Sequence, residues 1–231
     1  MKSGALACAA LIFPSWVFAA RPFVTDDARL TTGWSCQFES WMRMYPDSRE
    51  VWALPACNPT GNLEFTFGGG RARYDGEAAT RDYVFQAKTL FRPLESNDWG
   101  WGLAAGTIRH PEINPGPNLL GNTYAYVPVS ISLHDDRLIV HANLGWLKDR
   151  ASGRNSTSWG IGGEFSLRAG LLGIAETYGD SNGMTYGQLG VRHSVIPDLF
   201  QLDATAGQQL AGPGKSHWLS FGIRYTPARL F

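Results

Sequence analysis

Short segments of strictly alternating apolar and polar residues run through the chain, and they constrain its fold more than any other feature. The pattern is clearest near the C-terminus. There the apolar phase consists of Leu219, Phe221, Ile223 and Tyr225, and the other phase of Ser220, Gly222, Arg224 and Thr226. Alternate residues of a β-strand point to opposite faces, so this pattern predicts an amphipathic strand.

The same alternation recurs in about twelve segments. Turn-forming sequences separate them, and Asn182-Gly183 is the strongest hairpin signal among these. The predicted strands are residues 36–45, 50–56, 63–74, 83–92, 99–109, 123–133, 137–146, 158–168, 172–178, 184–194, 201–210 and 217–225. We therefore expect about twelve antiparallel strands, with ten or fourteen as the alternatives.

The distribution of apolar residues distinguishes among membrane architectures. Hydrophobic residues make up 44% of the chain, yet after residue 19 no apolar run approaches the roughly 18 residues that a membrane-spanning helix needs. This excludes a helical membrane protein. Apolar residues spread over short alternating segments are instead typical of transmembrane β-barrels.

The polar phase of the strands favours a membrane barrel over a soluble one. Charges of both signs lie in mid-strand, as expected for ion pairs that cross a lumen, and Trp and Tyr residues lie near strand ends, where membrane interfaces would be. The predicted lumen-lining residues are Glu39, Arg43, Glu64, Lys88, His141, Asn143, Glu164, Glu176, Gln188, Arg192 and Arg224. The prediction is an all-β fold, a closed antiparallel transmembrane β-barrel.

Both ends of the chain indicate export to the outer membrane of a Gram-negative cell. Residues 1–19 have a basic start, an apolar stretch and small residues at their end, which predicts a signal peptide cleaved after Ala19. Phe231 ends the chain in the apolar phase and resembles the signal that the barrel-assembly machinery reads. The expected partners are therefore outer-membrane lipid and that machinery. The long connection at residues 110–122 is predicted to be extracellular.

Residues 20–35, between the signal peptide and the barrel of residues 36–231, do not have the pattern of a lipid-facing strand. Pro22 lacks the N–H group that a strand ladder needs, and one of the adjacent Asp26 and Asp27 would face lipid. The hypothesis is a plug at the periplasmic mouth, in which Asp26, Asp27 and Arg29 pair with luminal charges. The alternative is a disordered periplasmic leader.

Two cysteines, Cys36 and Cys57, remain after the signal peptide is removed. If the first hairpin closes around Pro46-Asp47, these two cysteines lie directly opposite each other on paired strands, within disulfide range. An exported protein folds in an oxidising compartment, so we expect them to form a disulfide bond.

Two local features give further expectations about register. At Gly68-Gly69-Gly70 the apolar phase slips, which a β-bulge would explain. Around Gly170, a simple turn would place Glu164 and Glu176 nearly opposite each other in the lumen. Two adjacent carboxylates are costly unless a cation lies between them, and Arg192 and Arg224 are the candidates.

Several stretches resemble a known protein family. These are residues 20–29 (ARPFVTDDAR), 36–41 (CQFESW), 58–64 (NPTGNLE) and 187–192 (GQLGVR). They are similar to outer-membrane proteins related to the phenol-degradation meta-pathway family. The resemblance implies an outer-membrane barrel that transports hydrophobic or aromatic compounds, and it brings no set of catalytic residues.

Three functions are compatible with such a barrel. The first is passive transport or binding of small compounds, hydrophobic or aromatic ones included, through the lumen. The second is an outer-membrane lipid hydrolase, for which His141, Asn143 and Ser156 or Ser158 would supply the residues. The third is a structural or sensory barrel without transport. The first is preferred, because three common polar residues can be assembled in any barrel.

Composition excludes other classes of function. The chain has 20 basic and 20 acidic residues, and removal of Lys2 with the signal peptide leaves 19 against 20, so no basic excess indicates nucleic-acid binding. The five histidines are not at metal-ligand spacing, and no nucleotide motif is present. The sequence therefore predicts no metal, no cofactor and no enzymatic activity.

Overall fold

The computed structural model describes residues 23–112 and 120–231, which contain twelve β-strands. They are β1 (Ser35–Met44), β2 (Ser48–Asn58), β3 (Leu63–Tyr74), β4 (Thr80–Arg92), β5 (Trp99–Arg109), β6 (Asn122–Leu133), β7 (Leu138–Lys148), β8 (Asn155–Arg168), β9 (Leu171–Asp180), β10 (Thr185–Ile196), β11 (Phe200–Ala211) and β12 (His217–Tyr225). Each predicted segment overlaps one of these strands. The predicted signal peptide lies outside the described residues.

The strands form one closed antiparallel barrel. Each strand pairs with its neighbours in the chain, and β1 pairs with β12 to close the sheet. The predicted fold class is thereby confirmed. The connections after the even-numbered strands are short, as at residues 134–137 and 169–170, and they share one end of the barrel with residue 34. By the rule for outer-membrane barrels this end is periplasmic, and the opposite end, where β5 ends and β6 begins, is extracellular.

The two faces of the sheet have the polarity of a membrane barrel. Apolar side chains point outward and are exposed, as Leu189 (67%) and Phe67 (55%) illustrate. Charged side chains of the opposite phase are buried inside the barrel, where Arg192 and Glu164 are each 2% exposed. A soluble barrel would place these two sets the other way round. No helix that could cross a membrane occurs within residues 23–112 and 120–231.

The first hairpin has the predicted register. Cys36 lies opposite Cys57 across β1 and β2, with Cα atoms 4.0 Å apart, and the two form a disulfide bond. The predicted disulfide is confirmed. It joins the two strands close to their periplasmic ends.

The prediction of a β-bulge at Gly68-Gly69-Gly70 is wrong. The pairings of β3 with β2 and β4 continue through the three glycines without a register shift. Glycine is needed at these positions because atoms of the neighbouring strands approach closely. A Cβ atom on Gly69 would lie 2.0 Å from the carbonyl oxygen of Asp82, and one on Gly70 would lie 2.5 Å from the Trp52 ring. As a consequence, Arg71 and Arg73 remain on the lipid-facing side of the strand.

The last strand ends before the chain does. Strand β12 ends at Tyr225, and Pro227, which has no N–H group for a ladder, follows two residues later. The backbone N–H groups of Leu230 and Phe231 instead donate to the carbonyl oxygen of Trp34, at 3.1 and 3.3 Å. Phe231 therefore lies six residues beyond the end of β12, and its role as an assembly signal stays a prediction.

Candidate functional site

The segment that precedes β1 lies inside the barrel. Within residues 23–34, the side chains of Thr25, Asp27, Ala28 and Thr31 are buried, and Ala28 has no exposed surface. We call residues 23–34 the plug. Because the plug forms no β-ladder, its backbone N–H groups need other acceptors, and luminal side chains supply them.

The upstream half of the plug is bound by Glu176 of β9 and Asn143 of β7. The N–H groups of Val24 and Thr25 donate to the two carboxylate oxygens of Glu176, at 2.8 and 2.9 Å. Asp26 and Asn143 exchange two hydrogen bonds of 2.7 Å, from the Asp26 N–H to Asn143 Oδ1 and from Asn143 Nδ2 to the Asp26 carbonyl oxygen. These contacts join residues 117 or more positions apart in the chain.

The carboxylate of Asp26 forms the tightest charged contact of the plug. It accepts from Lys88 Nζ of β4 at 2.8 Å, from the Tyr126 hydroxyl of β6 at 2.6 Å and from the N–H of Asp27 at 2.8 Å. Lys88 is only 3% exposed and also lies 3.5 Å from Asp27 Oδ1. One buried lysine therefore lies at ion-pair distance from both adjacent acidic residues of the plug.

The downstream half is held by a second set of contacts. The N–H groups of Ala28 and Thr31 donate to Ser130 Oγ at 2.8 Å and to Glu64 Oε2 at 2.6 Å. Asn58 Nδ2 donates to the Thr31 carbonyl oxygen at 2.8 Å. Side chains of five strands thus replace a strand partner for the plug.

Arg29 of the plug is held more loosely than Asp26. Its guanidinium lies 3.9 Å from Asp27 Oδ2 and 3.8 Å from Glu164 Oε2, which is beyond hydrogen-bond length. Glu164 accepts a hydrogen bond of 2.8 Å from Arg192. The structure thus places Asp26 and Asp27 beside Lys88, and Arg29 near Glu164. All eleven predicted lumen-lining residues lie on the inward phase of their strands.

Glu164 and Glu176 both face the lumen, as predicted, but they are offset by two residues along the paired strands. The turn between β8 and β9 contains only Ala169 and Gly170, and a register shift between Ser166 and Arg168 moves the pairing, so that Glu164 faces Ile174 and Glu176 faces Gly162. Arg192 pairs with Glu164, as expected for one candidate cation. Glu176 instead binds plug amides and Gln188, while Arg224 contacts Gln37 at 2.8 Å and lies 3.9 Å from Glu39.

The residues of the hydrolase alternative are not assembled as that hypothesis required. His141 is fully buried, and its Nδ1 atom lies 2.8 Å from the hydroxyl oxygen of Ser130. Ser158 lies opposite Gly145, four residues along β8 from the partner of His141. Asn143 binds the plug backbone, and the ring of Phe23 packs edge-on against His141 at 5.5 Å between centroids. Within the described residues, no group of three or more His, Cys, Asp or Glu side chains could hold a metal ion.

The extracellular half of the lumen is lined by aromatic rings, which we call the aromatic vestibule. Its members are Trp41, Tyr45, Trp52, Tyr124, Tyr126, Tyr178, Tyr186 and Trp218. Trp41 and Trp52 are stacked at 5.7 Å with an interplanar angle of 10°, and Tyr178 stacks on Tyr186 at 5.4 Å. The guanidinium of Arg43 lies 5.1 Å from the centre of the Trp218 ring and 3.5 Å from Glu50.

The sequence analysis did not predict the vestibule, because it assigned tryptophan and tyrosine to membrane interfaces. The alternation could have indicated it, because several of these rings lie on the same strand face as neighbouring luminal charges. Trp41 alternates with Glu39 and Arg43, and Tyr178 alternates with Glu176.

Between the plug and the wall formed by β1–β4 lies a cavity of about 210 Å³, lined by both polar and aromatic side chains.

A closed twelve-stranded barrel with an apolar outer band and a charged lumen is an outer-membrane β-barrel. Residues 7–226 match the family described as "Uncharacterised conserved protein UCP029691", and the chain belongs to this family. No curated protein matches the sequence significantly. The phenol-degradation family that the sequence motifs resemble is therefore not the family that these comparisons show.

Solved structures of outer-membrane channels share the fold. The KdgM porin, which has also been solved in complex with disordered oligogalacturonate, gives a TM-score of 0.64 at 8% identity and covers 83% of this chain and 99% of its own. The NanC porin gives 0.61 at 10% identity, covering 83% and 100%. The COG4313 outer membrane channel from Pseudomonas putida F1 gives 0.56 at 12% identity, covering 87% and 97%. At these identities the similarity concerns the fold.

Proposed function

We propose that this protein is a gated outer-membrane channel for small, uncharged ring compounds. The observation that carries the proposal is the position of the plug, which lies in the periplasmic half of the lumen beneath the aromatic vestibule. In this proposal, the plug is the gate and the vestibule is the binding surface. Ser130, His141 and Glu164 support the plug and have no catalytic role.

The way the plug is held supports gating. Its backbone N–H groups donate hydrogen bonds to side chains of the barrel wall, such as Glu176, Asn143 and Glu64, and not to the backbone of a paired strand. It can therefore leave the lumen without disrupting a strand pairing of the barrel. The groups that it uncovers are charged or polar and become hydrated when the lumen opens, which offsets part of the cost of breaking these contacts.

The composition of the vestibule supports the proposed class of substrate. Aromatic faces stack favourably on planar or apolar rings. The cation of the vestibule, Arg43, is paired with Glu50, which leaves little positive potential for a polyanion. The KdgM porin has been solved with oligogalacturonate, an acidic oligosaccharide, whereas this vestibule suits uncharged rings better. The resemblance of the N-terminal motif to a family of transporters for aromatic compounds points to the same class.

Planar-bilayer conductance tests the gate. We expect full-length protein to conduct rarely, and a variant lacking residues 23–32 to conduct persistently, with the barrel still assembled. The deletion spares Trp34, which bonds to Asn58 and to the C-terminal residues. Equal conductance of both proteins would show that the segment is not a gate. Absence of conductance from both would favour a structural or sensory barrel.

Substitution of one vestibule ring tests the substrate class. Trp218→Leu keeps an apolar side chain and removes a ring that contacts Tyr45, Tyr186 and Arg43. Loss of one aromatic contact of about 0.5–1.5 kcal/mol should weaken binding of phenol, measured as current block in the plug-deleted channel, by about twofold to twelvefold. The neighbouring lipid-facing substitution Leu219→Ala is the control. Equal block in all three channels would refute ring recognition in the vestibule.

A further inference from the structure

Arginines cluster on the outer surface of the barrel at the extracellular ends of four consecutive strands. The arginine cluster consists of Arg49 on β2, Arg71 and Arg73 on β3, Arg81 on β4 and Arg109 on β5. These residues share the outward phase of lipid-facing Phe67 and Phe85, because β3 runs without a bulge. At the extracellular ends of the described strands, outward-facing arginines occur on these four strands only.

The strand register brings like charges together within the cluster. Arg49 lies directly opposite Arg73 across β2 and β3, and Arg71 lies directly opposite Arg81 across β3 and β4. Like charges in directly opposed positions destabilise a sheet. The carboxylates within the adjoining strands, Glu50 and Asp82, belong to the luminal phase, and Glu112 in the connection after β5 compensates Arg81 alone. An anion from outside the barrel would remove this repulsion.

Most of the cluster forms no ion pair with the described residues. Arg81 donates to Glu112 from its backbone N–H at 3.0 Å and from Nε at 2.8 Å. Within the described residues, no carboxylate lies at ion-pair distance from Arg49, Arg71 or Arg73. The Nε atom of Arg109 is buried and makes no hydrogen bond to the described residues.

The cluster lies at the level of lipid headgroups. On β4 the outward residues run from Arg81 through Tyr83 and Phe85 to Phe91 near the periplasmic end. Ten residues at ~3.4 Å each, tilted by ~40°, span about 26 Å along the membrane normal, close to the ~25 Å height of the apolar band of such barrels. Arg81 therefore stands at the outer edge of this band, next to the headgroups of the outer leaflet.

We propose that the arginine cluster binds the phosphate groups of lipopolysaccharide in the outer leaflet. The planar guanidinium groups suit bidentate phosphate recognition, and the negative charges of lipid A phosphates complement the opposed arginine pairs. The apolar residues below the cluster, such as Phe67 and Tyr83, would contact the acyl chains. This inference rests on the barrel lying in an outer membrane and does not depend on the transport proposal.

Native mass spectrometry of the purified full-length protein with deep-rough lipopolysaccharide tests the inference. Arg71→Gln with Arg73→Gln removes two charges from the centre of the cluster. Arg150→Gln with Arg154→Gln removes the same charge from the loop between β7 and β8 and is the matched control. The same titration with enzymatically dephosphorylated lipid tests the role of phosphate without any substitution in the protein.

We expect the cluster variant to bind the phosphorylated lipid at least about tenfold more weakly than the wild type, since charge-assisted hydrogen bonds are lost. The control variant should bind within about twofold of the wild type, and added salt should weaken wild-type binding. Unchanged affinity of the cluster variant, an equal loss in the control variant, or equal binding of the dephosphorylated lipid would each overturn the inference.

Discussion

Asp26→Asn is the substitution that tests the plug most directly. The asparagine keeps the size of the side chain and an acceptor oxygen, but it removes the charge that Lys88 Nζ contacts at 2.8 Å. Lys88 keeps its longer contact of 3.5 Å with Asp27. The substitution therefore weakens one charge-assisted contact of the closed plug without removing any atom that fills the lumen.

The expected magnitude follows from that contact. A hydrogen bond to a charged group contributes about 1.5–3 kcal/mol, and about 1.4 kcal/mol corresponds to a factor of ten in an equilibrium constant. We therefore expect the ratio of open to closed channels to rise by about 10-fold to 150-fold. The Tyr126 hydroxyl, which lies 2.6 Å from the other carboxylate oxygen, can still donate to the amide oxygen, so the lower half of this range is the firmer expectation.

Single-channel recording in planar bilayers measures this ratio as the open probability. The variant lacking residues 23–32 defines the fully open state. Asp198→Asn is the matched control, because Asp198 is exposed in a periplasmic turn with a positive φ of 59° that asparagine also tolerates. If Asp26→Asn has the open probability of the wild type while the deletion variant is open, the Asp26–Lys88 contact does not hold the plug closed.

Two further predictions concern stability and the extracellular mouth. Replacing Cys36 and Cys57 with serine should lower the unfolding free energy by less than the ~3 kcal/mol of a free loop, since barrel closure already constrains the hairpin; urea unfolding of the two proteins measures the difference. His110 contacts Asp82, and this hydrogen bond raises the pKa of His110 above its ordinary value. The stabilisation from this contact is therefore fully present below the ordinary histidine pKa of ~6.5 and lost as the pH rises through the raised pKa of His110. In that pH range, hydrogen exchange at residues 109–112 should increase by more than the intrinsic exchange rate does. His110→Gln should abolish this additional increase.

Much of the fold follows from local patterns in the sequence. Alternation with period two located all twelve strands, because side-chain direction in a strand depends only on position along that strand. The same logic placed residues such as Glu164 and Arg192 on the luminal side. It also paired Cys36 with Cys57, since the register of a hairpin depends on its own short turn.

The local reading failed where neighbouring chains set the outcome. Glycines in a strand can indicate either a bulge or a close approach of neighbouring strands. In β3 the glycines allow a close approach, which is evident only from the positions of Trp52 and Asp82 on the adjacent strands. Likewise, the position of Glu164 relative to Glu176 depends on an irregularity in β8 that the composition of the turn does not reveal.

The sequence by itself determined that the chain forms a barrel with charges inside, a disulfide in the first hairpin and an N-terminal segment unsuited to a strand. Only the tertiary structure decided that this segment lies in the lumen with Lys88, Tyr126 and Asn143 around Asp26. Those four residues come from the plug and from strands β4, β6 and β7, and the contact between Asp26 and Asn143 spans 117 positions. Contacts over such separations depend on closure of the sheet and on the register of every intervening hairpin, which no local pattern contains.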